Sequence, residues 1–489
     1  MSNWIDRRRA GVLLHITSLP GPLSNGVLGE EANKFIDDLA DAGFSVWQFL
    51  PLGPTHWHGS PYETLSTFAG NPELIDLREC VDRGWLNKAD YDAAVSKDIS
   101  LETARTKSAI GFWTEAGHNP EIAEDIKRFQ AEHSDWIDDY ALFVALKQAH
   151  SGLPWWLWPE ALRNRHTDAL NEARHTLLGS IHRTIFEQYL FAQQWQRLKK
   201  HAETRGMLLF GDLPIYVAHD SADVWAYQQL FTINGAGLCE EVAGVPPDHF
   251  SEDGQRWGNP LYHWDEMQAD DFDWWVKRVQ IQFSRMHLLR IDHFCGLQAY
   301  WAIPGESQNG RIGKWHPAPG VELLETLKTR LGQLPLVAED LGHLIDEVRP
   351  LRERFGLPGM KVLHFAFDGD ADNPYLPHNH ELDSVVYTGT HDNDTTLGWF
   401  RHAPDRLRAH LLDYLEASAD DMPWPLICCA LDSVAQLAII PMQDLLSLGS
   451  EARLNTPGTV DDNWKWRMQQ PAPADIWARA RHLNYLYGR

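Results

Sequence analysis

The chain has 489 residues, enough to bury a large core in one domain with insertions or in two domains. Its 68 acidic and 43 basic side chains leave a formal net charge of −25, which repels nucleic acids and anionic membrane surfaces but not a neutral ligand. No stretch approaches the length of a membrane span, and the five cysteines lack C-x-x-C spacing, which favours a cytoplasmic protein without a disulfide framework.

Eight short apolar runs, rich in β-branched and aromatic residues and separated by helical patterns, predict buried parallel strands. The runs cover residues 11–18, 45–52, 208–217, 288–294, 336–341, 362–367, 385–391 and 437–442. Eight such strands favour an α/β fold, a closed (β/α)8 TIM barrel, because closure removes the sheet edges and helices cover the outside. The chain, residues 1–489, is therefore interpreted as a single barrel domain with inserted, mainly helical subdomains.

The connections between these strands differ greatly in length. The first carries apolar residues at helical spacing over residues 32–40, which is typical of a crossover helix. Residues 59–206 predict an inserted helical subdomain after the second strand, and residues 219–286 predict a second inserted subdomain. Within the second insertion, we expect residues 242–258 to form a loop that covers a substrate, since long loops in barrels are usually functional. Residues 404–430 predict a small helical insertion.

Carboxylates stand at the ends of four predicted strands. Asp212 ends the third strand, Asp292 the fourth, Glu339 the fifth and Asp392 the seventh. In a TIM barrel the active site lies at the carboxyl ends of the strands, so these side chains are expected to meet. A single carboxylate at a strand end is more often a helix cap or a surface charge, but four on one face of the barrel indicate a catalytic site.

Two of these carboxylates fit the pair that splits a glycosidic bond with retention, a nucleophile and an acid/base roughly 5 to 5.5 Å apart. Asp292 suits the nucleophile, because Arg290 lies two residues earlier on the same strand face and can keep it ionised. Glu339 suits the acid/base, because neighbouring carboxylates raise its pKa. Asp392 and His391 are candidates for holding sugar hydroxyls. No cofactor and no catalytic metal are expected, because no H-E-x-x-H or similar cluster is present.

Flat aromatic rings offer faces on which the C–H surfaces of sugars can stack, and the chain holds 22 tryptophans and 13 tyrosines. Most of these rings are expected to be core residues. Two stand elsewhere, Tyr62 just beyond the second strand and Trp257 in the second insertion. For these two, a functional role and a structural role are equally open on the pattern alone.

Several motifs resemble those of the amylomaltases, the 4-α-glucanotransferases of glycoside hydrolase family 77, and the resemblance covers essentially the whole chain. The matching segments are residues 59–62, 211–217, 242–248, 254–260, 290–294, 338–342 and 387–396. The resemblance implies a retaining double displacement with Asp292 as nucleophile, Glu339 as acid/base and Asp392 as the stabiliser of the transition state. It implies substrate contacts from Tyr62, Asp212, Gln255, Trp257, Arg290, His293, His391, Asn463 and Trp464.

The resemblance also implies the partners, maltooligosaccharides and longer α-1,4-glucans as donor and acceptor, with no nucleic acid and no membrane. An α-amylase-like hydrolase is the main alternative, because the carboxylates alone cannot separate transfer from hydrolysis. The covering segment and the motif after the seventh strand favour the transferase. A non-catalytic glucan-binding protein is a further alternative; such a protein could lose Asp292 or Glu339 without penalty, yet both residues are present.

Overall fold

The computed structural model describes residues 7–247, 252–342 and 345–489. Within these ranges, twelve strands form one sheet of eight strands and one of four. The strands are β1 (Arg9–Leu13), β2 (Val46–Gln48), β3 (Leu208–Pro214), β4 (Glu241–Val245), β5 (Gln255–Pro260), β6 (Leu288–Asp292), β7 (Ala299–Pro304), β8 (Lys314–Pro317), β9 (Leu336–Ala338), β10 (Gly359–Val362), β11 (Ser384–Tyr387) and β12 (Leu437–Pro441).

The eight-stranded sheet is parallel throughout and forms a nearly closed barrel. Its strands follow the order β10, β11, β12, β1, β2, β3, β6 and β9. At the seam, β9 meets the start of β10, where the backbone N–H of Ala338 donates to the carbonyl of Pro358 at 2.9 Å. Strands β1 and β12 are buried along their whole length, as expected where helices cover one face and the barrel interior the other. The predicted (β/α)8 barrel is confirmed.

The interior of the barrel is filled by apolar side chains. Every strand of the barrel contributes to this inner cluster, which includes Leu13, Val46, Phe210, Leu288, Val337, Met360, Val385 and Leu437. At Gly11 on β1, an added Cβ would lie only 2.6 Å from Ile439 and 2.7 Å from Val46, so packing this tight leaves room for glycine alone. Because the interior is a packed core and not a channel, a ligand has to bind at an end of the barrel.

Nineteen α-helices lie in the part of the chain that the structure describes, and eight of them, α2 to α9, lie between β2 and β3. The helices are α1 (Glu30–Asp41), α2 (Arg78–Asp82), α3 (Lys88–Val95), α4 (Leu101–Ala116), α5 (Pro120–Glu132), α6 (Ile137–Ala149), α7 (Glu160–Arg163), α8 (Thr167–Thr176), α9 (Leu178–Thr204), α10 (Ala222–Ala226), α11 (Trp264–Ala269), α12 (Asp273–Arg285), α13 (Gly320–Leu331), α14 (Ile345–Arg354), α15 (Thr396–His402), α16 (Asp405–Leu415), α17 (Trp424–Asp432), α18 (Met442–Leu445) and α19 (Ala474–Leu486). None of these described helices is both long enough and apolar enough to cross a membrane.

Two glutamines on α9 fix the segment that leads away from β2. The side-chain amide of Gln188 bonds both the N–H and the carbonyl of Gly70, at 2.7 and 2.8 Å. The amide of Gln194 bonds the N–H and the carbonyl of Asp76 in the same way, at 2.8 and 3.0 Å. Since buried backbone groups need partners, these two side chains replace a neighbouring strand and hold the segment against the helix.

The sixth barrel strand begins and ends earlier than predicted. The sequence predicted a strand over residues 362–367, but β10 ends at Val362 and a 3₁₀ turn follows at Leu363–Phe365. The apolar run continues into this turn because Leu363 is itself fully buried. Hydrophobicity therefore marked a buried segment correctly but could not separate a strand from a buried turn.

A second sheet stands where the sequence predicted a covering loop. Strands β4 and β5 occupy the two ends of residues 242–258 and pair antiparallel, and the sheet continues into β7 and β8 in the order β5, β4, β7, β8. Residues 248–251, between β4 and β5, lie outside the described residues. Both strands contain glycine and β5 ends in proline, so their β-propensity is weak. Their sequences also lack the alternating pattern that would have predicted strands. The limits of the inserted subdomains stay predictions.

Candidate active site

A cleft of about 1280 Å³ lies at the carboxyl ends of the barrel strands, bounded on one side by the four-stranded sheet. Ten of the twelve residues predicted for the site line this cleft, namely Tyr62, Gln255, Trp257, Arg290, Asp292, His293, Glu339, Asp392, Asn463 and Trp464. The other two, Asp212 and His391, are buried and bond the hydroxyl of Tyr62. The structure thus brings all twelve residues to one region.

The register of β6 and β9 places Asp292 and Glu339 at neighbouring strand ends. Ile291 is opposite Ala338 in the ladder, so the next residue on each strand is a carboxylate. The backbone N–H of Glu339 donates to the carbonyl of Ile291, and the N–H of Phe294 donates to the carbonyl of Glu339, both at 3.1 Å. The parallel pairing therefore continues past both carboxylates and fixes their backbones side by side.

Arg290 links two carboxylates of the site. Its guanidinium donates from Nη1 to Asp212 Oδ2 and from Nη2 to Asp292 Oδ1, the second at 2.7 Å. Arg290 and Asp212 are each only 4 % exposed, whereas Asp292 is open to the cleft. Burial by itself lowers the pKa of Arg290, but the two carboxylates outweigh it and raise the pKa well above its ordinary value. A permanent positive charge therefore stands beside Asp292.

Glu339 is held by two backbone amides and is half-buried. The N–H of His293 donates to Oε2 at 2.7 Å, and the N–H of Leu341 donates to Oε1 at 3.1 Å. Burial raises the pKa of Glu339 to about 8, with Asp292 adding to the rise and Arg290 opposing it. The carboxyl group is therefore largely protonated at neutral pH. The sequence prediction named neighbouring carboxylates as the cause of a raised pKa, but burial is the larger cause.

His293, whose backbone N–H donates to Glu339, has a rare backbone conformation. It lies in the left-handed region with φ of 55° and ψ of 48°, which non-glycine residues seldom adopt without a local reason. The indole ring of Trp257 stands edge-on to the His293 imidazole, with ring centroids 4.7 Å apart. Burial lowers the pKa of His293 to about 4, so its ring is neutral at neutral pH. The ring of Trp257 is fixed in turn, because its Nε1 donates to Gln255 Oε1 at 3.0 Å.

Asp392 is positioned by residues that the sequence analysis did not single out. Asn455 Nδ2 donates to Asp392 Oδ1 at 2.6 Å, and Arg453 Nη2 donates to the Asp392 carbonyl at 2.8 Å. His391 Nε2 lies 3.3 Å from Asp392 Oδ2. Arg453 and Asn455 follow the last barrel strand, and this position is the one signal in the sequence that could have predicted a place for them at the site.

A single buried carboxylate joins both ends of the segment that carries His391 and Asp392. Asp444, on α18, accepts hydrogen bonds from the hydroxyls of Thr388 and Thr396 at 2.6 and 2.7 Å, and from the backbone N–H of Thr396 at 2.7 Å. It is 1 % exposed, and burial raises its pKa while these hydrogen bonds oppose the rise. Because Thr388 precedes and Thr396 follows the segment, Asp444 closes it into a loop.

The hydroxyl of Tyr62 connects Asp212 and His391 beneath the cleft by hydrogen bonds. Its hydroxyl donates to Asp212 Oδ2 at 2.7 Å and lies 2.8 Å from His391 Nε2, which must then be the donor to the tyrosine. The Tyr62 and His391 rings stack with centroids 5.2 Å apart, and the Trp464 ring lies 5.9 Å from Tyr62. The structure therefore places Tyr62 in the site, where the pattern had left its role open.

Asn463 lies in the cleft wall, but its amide is used within its own loop. Its Nδ2 donates to the carbonyl of Thr459 and its Oδ1 accepts from the N–H of Thr456, both at 2.9 Å. These bonds shape the turn before Trp464, whose backbone is left-handed with φ of 64°. The predicted contact between Asn463 and a substrate stays a prediction.

The sequence of the chain is similar to those of known proteins. The model of a protein family described as 4-alpha-glucanotransferase matches residues 14–472. The chain belongs to this family. The enzyme class and the glucan-transfer activity predicted from the sequence are confirmed, and they prevail over the hydrolase and the non-catalytic alternatives.

The relatives come from bacteria and plants. The 4-alpha-glucanotransferase of Thermus thermophilus is 48 % identical over 475 residues, covering 94 % of this chain and 95 % of the relative. A chloroplastic/amyloplastic 4-alpha-glucanotransferase of Arabidopsis thaliana is 44 % identical and is covered over 86 % of its length by 99 % of this chain.

Solved structures show the same fold. An amylomaltase from Streptococcus agalactiae in complex with acarbose superimposes with a TM-score of 0.94 at 36 % identity, covering 99 % of this chain and all of that one. An amylomaltase from Corynebacterium glutamicum superimposes with a TM-score of 0.76 at 16 % identity, covering 99 % of this chain and 76 % of that one. At that identity, the second similarity shows the fold alone.

Proposed function

We propose that the protein transfers α-1,4-glucan segments to the 4-hydroxyl of glucose or another glucan, with Asp292 as nucleophile and Glu339 as acid/base. The observation that carries this assignment is a pair of carboxyl groups at adjacent strand ends that line one cleft and have different surroundings. Asp292 receives a hydrogen bond from a charged guanidinium, whereas burial raises the pKa of Glu339 to about 8. A nucleophile and an acid are the two groups that a retaining cleavage requires.

In the first step, an Asp292 carboxylate oxygen attacks the anomeric carbon of the donor glucan. The bond from that carbon to the bridging oxygen breaks, and Glu339 gives its proton to this oxygen, so that the departing chain leaves with a free 4-hydroxyl. The product is a glucosyl ester on Asp292, and Glu339 is left as a carboxylate.

In the second step, Glu339 takes the proton of an acceptor 4-hydroxyl while that oxygen attacks the same anomeric carbon. The ester bond to Asp292 breaks, and both carboxyl groups return to their initial states. Because the carbon is inverted twice, the new bond has the original α configuration.

The remaining polar residues support the charge that develops on the sugar. We assign Asp392 to stabilise the positively charged transition state, since its carboxylate lines the cleft and is held by Asn455. Arg290, Asp212, Tyr62 and His391 form one hydrogen-bonded chain under the same region. Their fixed positions keep the dipoles in place before a substrate arrives, which lowers the reorganisation cost of the reaction.

Maltooligosaccharides and longer α-1,4-glucans are the proposed donors and acceptors. The size of the cleft, about 1280 Å³, suits a chain of several sugar rings, and a net charge of −25 does not oppose a neutral polymer. The similarity to an amylomaltase solved in complex with acarbose supports a ligand of that kind for this protein. A cytoplasmic location is also proposed, supported by the five cysteines, none of which forms a disulfide.

Maltotriose as sole substrate tests the proposed reaction. Transfer predicts free glucose together with a ladder of longer oligosaccharides on a chromatogram, with little gain in reducing ends. Hydrolysis of the α-amylase kind instead raises the number of reducing ends in step with bond cleavage, and that result would contradict the proposal.

A further inference from the structure

Trp315 is unusually exposed for a tryptophan in this protein. Among the tryptophans that the structure describes, only Trp57 and Trp315 are more than about a third exposed, at 88 % and 37 %. Of these two, Trp315 alone lines the cleft. Exposure of an indole to water costs free energy. The exposed position of Trp315 on the wall of the cleft is therefore explained either by a ligand that covers the ring or by a structural role.

Trp315 belongs to a row of residues that crosses all four strands of the antiparallel sheet. Gly244 is opposite Arg256 on one side and opposite Trp301 on the other, and Trp301 is opposite Trp315. Residues opposite each other in a ladder point to the same face of a sheet. The row therefore presents a guanidinium at one end, two indoles at the other, and a glycine between them.

Trp301, at the indole end of the row, is held by a hydrogen bond and by close packing. Trp301 Nε1 donates to the carbonyl of Gly310 at 3.0 Å, and the Trp301 and Trp315 rings lie 5.3 Å apart. At Gly313, an added Cβ would come within 2.5 Å of the Trp301 ring, so the turn between β7 and β8 packs directly on that ring. Trp301 thus has a packing role, whereas one face of Trp315 stays open.

The row leads away from the reacting groups. Trp257 on β5 contacts His293, the residue after Asp292. Strand β8 is three strands from β5, and neighbouring strands lie about 4.8 Å apart, which places β8 roughly 14 Å farther out. A glucan needs several sugar rings to span that distance, so a short substrate cannot occupy both places.

We infer that Trp315 forms an outlying glucan-binding subsite that favours long chains, and that Arg256 contacts the same chain at the end of the row nearer the reacting groups. The indole face of Trp315 stacks on the apolar face of a sugar ring, and the guanidinium of Arg256 donates to sugar hydroxyls. Arg256 is exposed, lines the cleft and uses Nη2 on the carbonyl of Gly305, which leaves its other N–H groups for a ligand. This subsite rests on the proposed function, and it determines chain-length preference without contacting the reacting atoms.

Substitution of the indole tests the subsite by comparing substrates of different length. For Trp315→Ala, we expect the ratio of kcat/KM on long amylose to kcat/KM on maltotriose to fall by roughly threefold to tenfold. Trp315→Phe keeps an aromatic face and should recover much of the ratio. Ile312→Ala is the matched control, because Ile312 lies just before β8, is 69 % exposed and does not line the cleft.

A structural role of Trp315 predicts a different result. Loss of packing would lower kcat/KM on both substrates by the same factor, or would lower the melting temperature with no change in the ratio, and either outcome overturns the subsite. An unchanged ratio in Trp315→Ala overturns it as well. These outcomes leave the proposed function intact as long as the wild-type protein still converts maltotriose into glucose and longer chains.

Equilibrium binding gives an independent measurement. In an Asp292→Ala background, which cannot form the ester, titration calorimetry with a maltooligosaccharide of at least seven units should show roughly threefold to tenfold weaker affinity when Trp315→Ala is added. Equal affinities with and without Trp315→Ala would contradict the subsite, whereas transfer activity in the Asp292→Ala protein would contradict the proposed nucleophile instead.

Discussion

The carboxyl end of the barrel and the four-stranded sheet beside it form two walls of one cleft, but they are built differently. At the barrel end, Asp212 and Arg290 are buried, Glu339 is half-buried, and each of the three is engaged in hydrogen bonds. On the sheet, Arg256 and Trp315 are exposed and make few contacts. From this difference we propose that bond cleavage depends on charges that the barrel holds in fixed positions, whereas binding of a long glucan depends on the open surface of the sheet.

The physical reason for this division is the cost of burying charge. A carboxylate removed from water is stable only if it is paired, hydrogen-bonded or protonated, and the barrel residues show all three solutions. Groups on the sheet remain hydrated until a ligand displaces water, so each contributes modest binding energy. Substitutions at the barrel end should therefore have much larger effects on activity than substitutions on the sheet.

The largest effect is expected for Asp292→Ala. Without the nucleophile no glucosyl ester forms, so transfer from maltotriose should fall by about 10⁴-fold or more. Because Asp292 is open to the cleft, the fold should survive, and the melting temperature and far-ultraviolet circular dichroism check this. Transfer at the wild-type rate in a folded variant would refute the assignment of Asp292.

Glu339→Gln should reduce the rate by about 10² to 10⁴-fold, because the amide cannot protonate the leaving oxygen. In the wild-type protein the acid form is required for the first step, and the pKa of Glu339 is raised to about 8. The rate of that step should therefore decline as pH rises through about 8. The pH profile of kcat/KM is the measurement, and residual activity in Glu339→Gln should lack this alkaline decline.

Stability gives a second readout of the same raised pKa. The carboxyl of Glu339 is protonated in the folded state up to about pH 8, whereas its ordinary value is 4.5. The unfolded state therefore releases this proton first, and stability should be lost as pH rises from about 4.5 to about 8. Glu339→Gln should remove that part of the decline in melting temperature. Parallel declines in the two proteins would show that Glu339 is not the responsible group.

Asp444→Asn should have an intermediate effect, because Asp444 acts only through the segment that it closes. An amide cannot accept from all three donors at Thr388 and Thr396, so we expect kcat to fall by roughly tenfold to a hundredfold with KM changed little. Asp405→Asn, at an exposed position on α16, is the control. A lower melting temperature with unchanged kcat would mean that Asp444 stabilises the fold without positioning Asp392.

The smallest effect is expected for Arg256→Ala on the sheet. Loss of an exposed guanidinium should reduce kcat/KM on long amylose by about two- to threefold and should reduce it less on maltotriose. Steady-state kinetics on the two substrates measure the difference. A loss as large as that of Glu339→Gln would remove the distinction between the two walls of the cleft.

Local patterns in the sequence sufficed to predict the barrel strands and the carboxylates at their ends. Each barrel strand is largely apolar, and a polar residue near the end of such a run marks the carboxyl end. Asp212, Asp292 and Glu339 were predictable for this reason. Strands β4 and β5 of the second sheet were not, since EVAGV and QRWGNP are each interrupted by glycine and have no alternating pattern.

Several site residues act through contacts that are distant in the chain. Asp444 closes its segment from 56 residues beyond Thr388, and Asn455 reaches Asp392 across 63 residues. An isolated aspartate or asparagine after the last strand carries no local sign of its partner, because the partner is decided by where the next elements pack. The role of Tyr62 was open for the same reason until the structure placed it between Asp212 and His391.

The amino-acid sequence by itself determined the eight buried strands, the positions of the carboxylates at their ends and the kind of reaction that such groups support. Only the tertiary structure decided which carboxyl group is buried and protonated, which is paired with Arg290, and that an antiparallel sheet forms the facing wall. Protonation and pairing depend on burial and on distances of a few ångströms between distant segments, and these quantities exist only once the chain has folded.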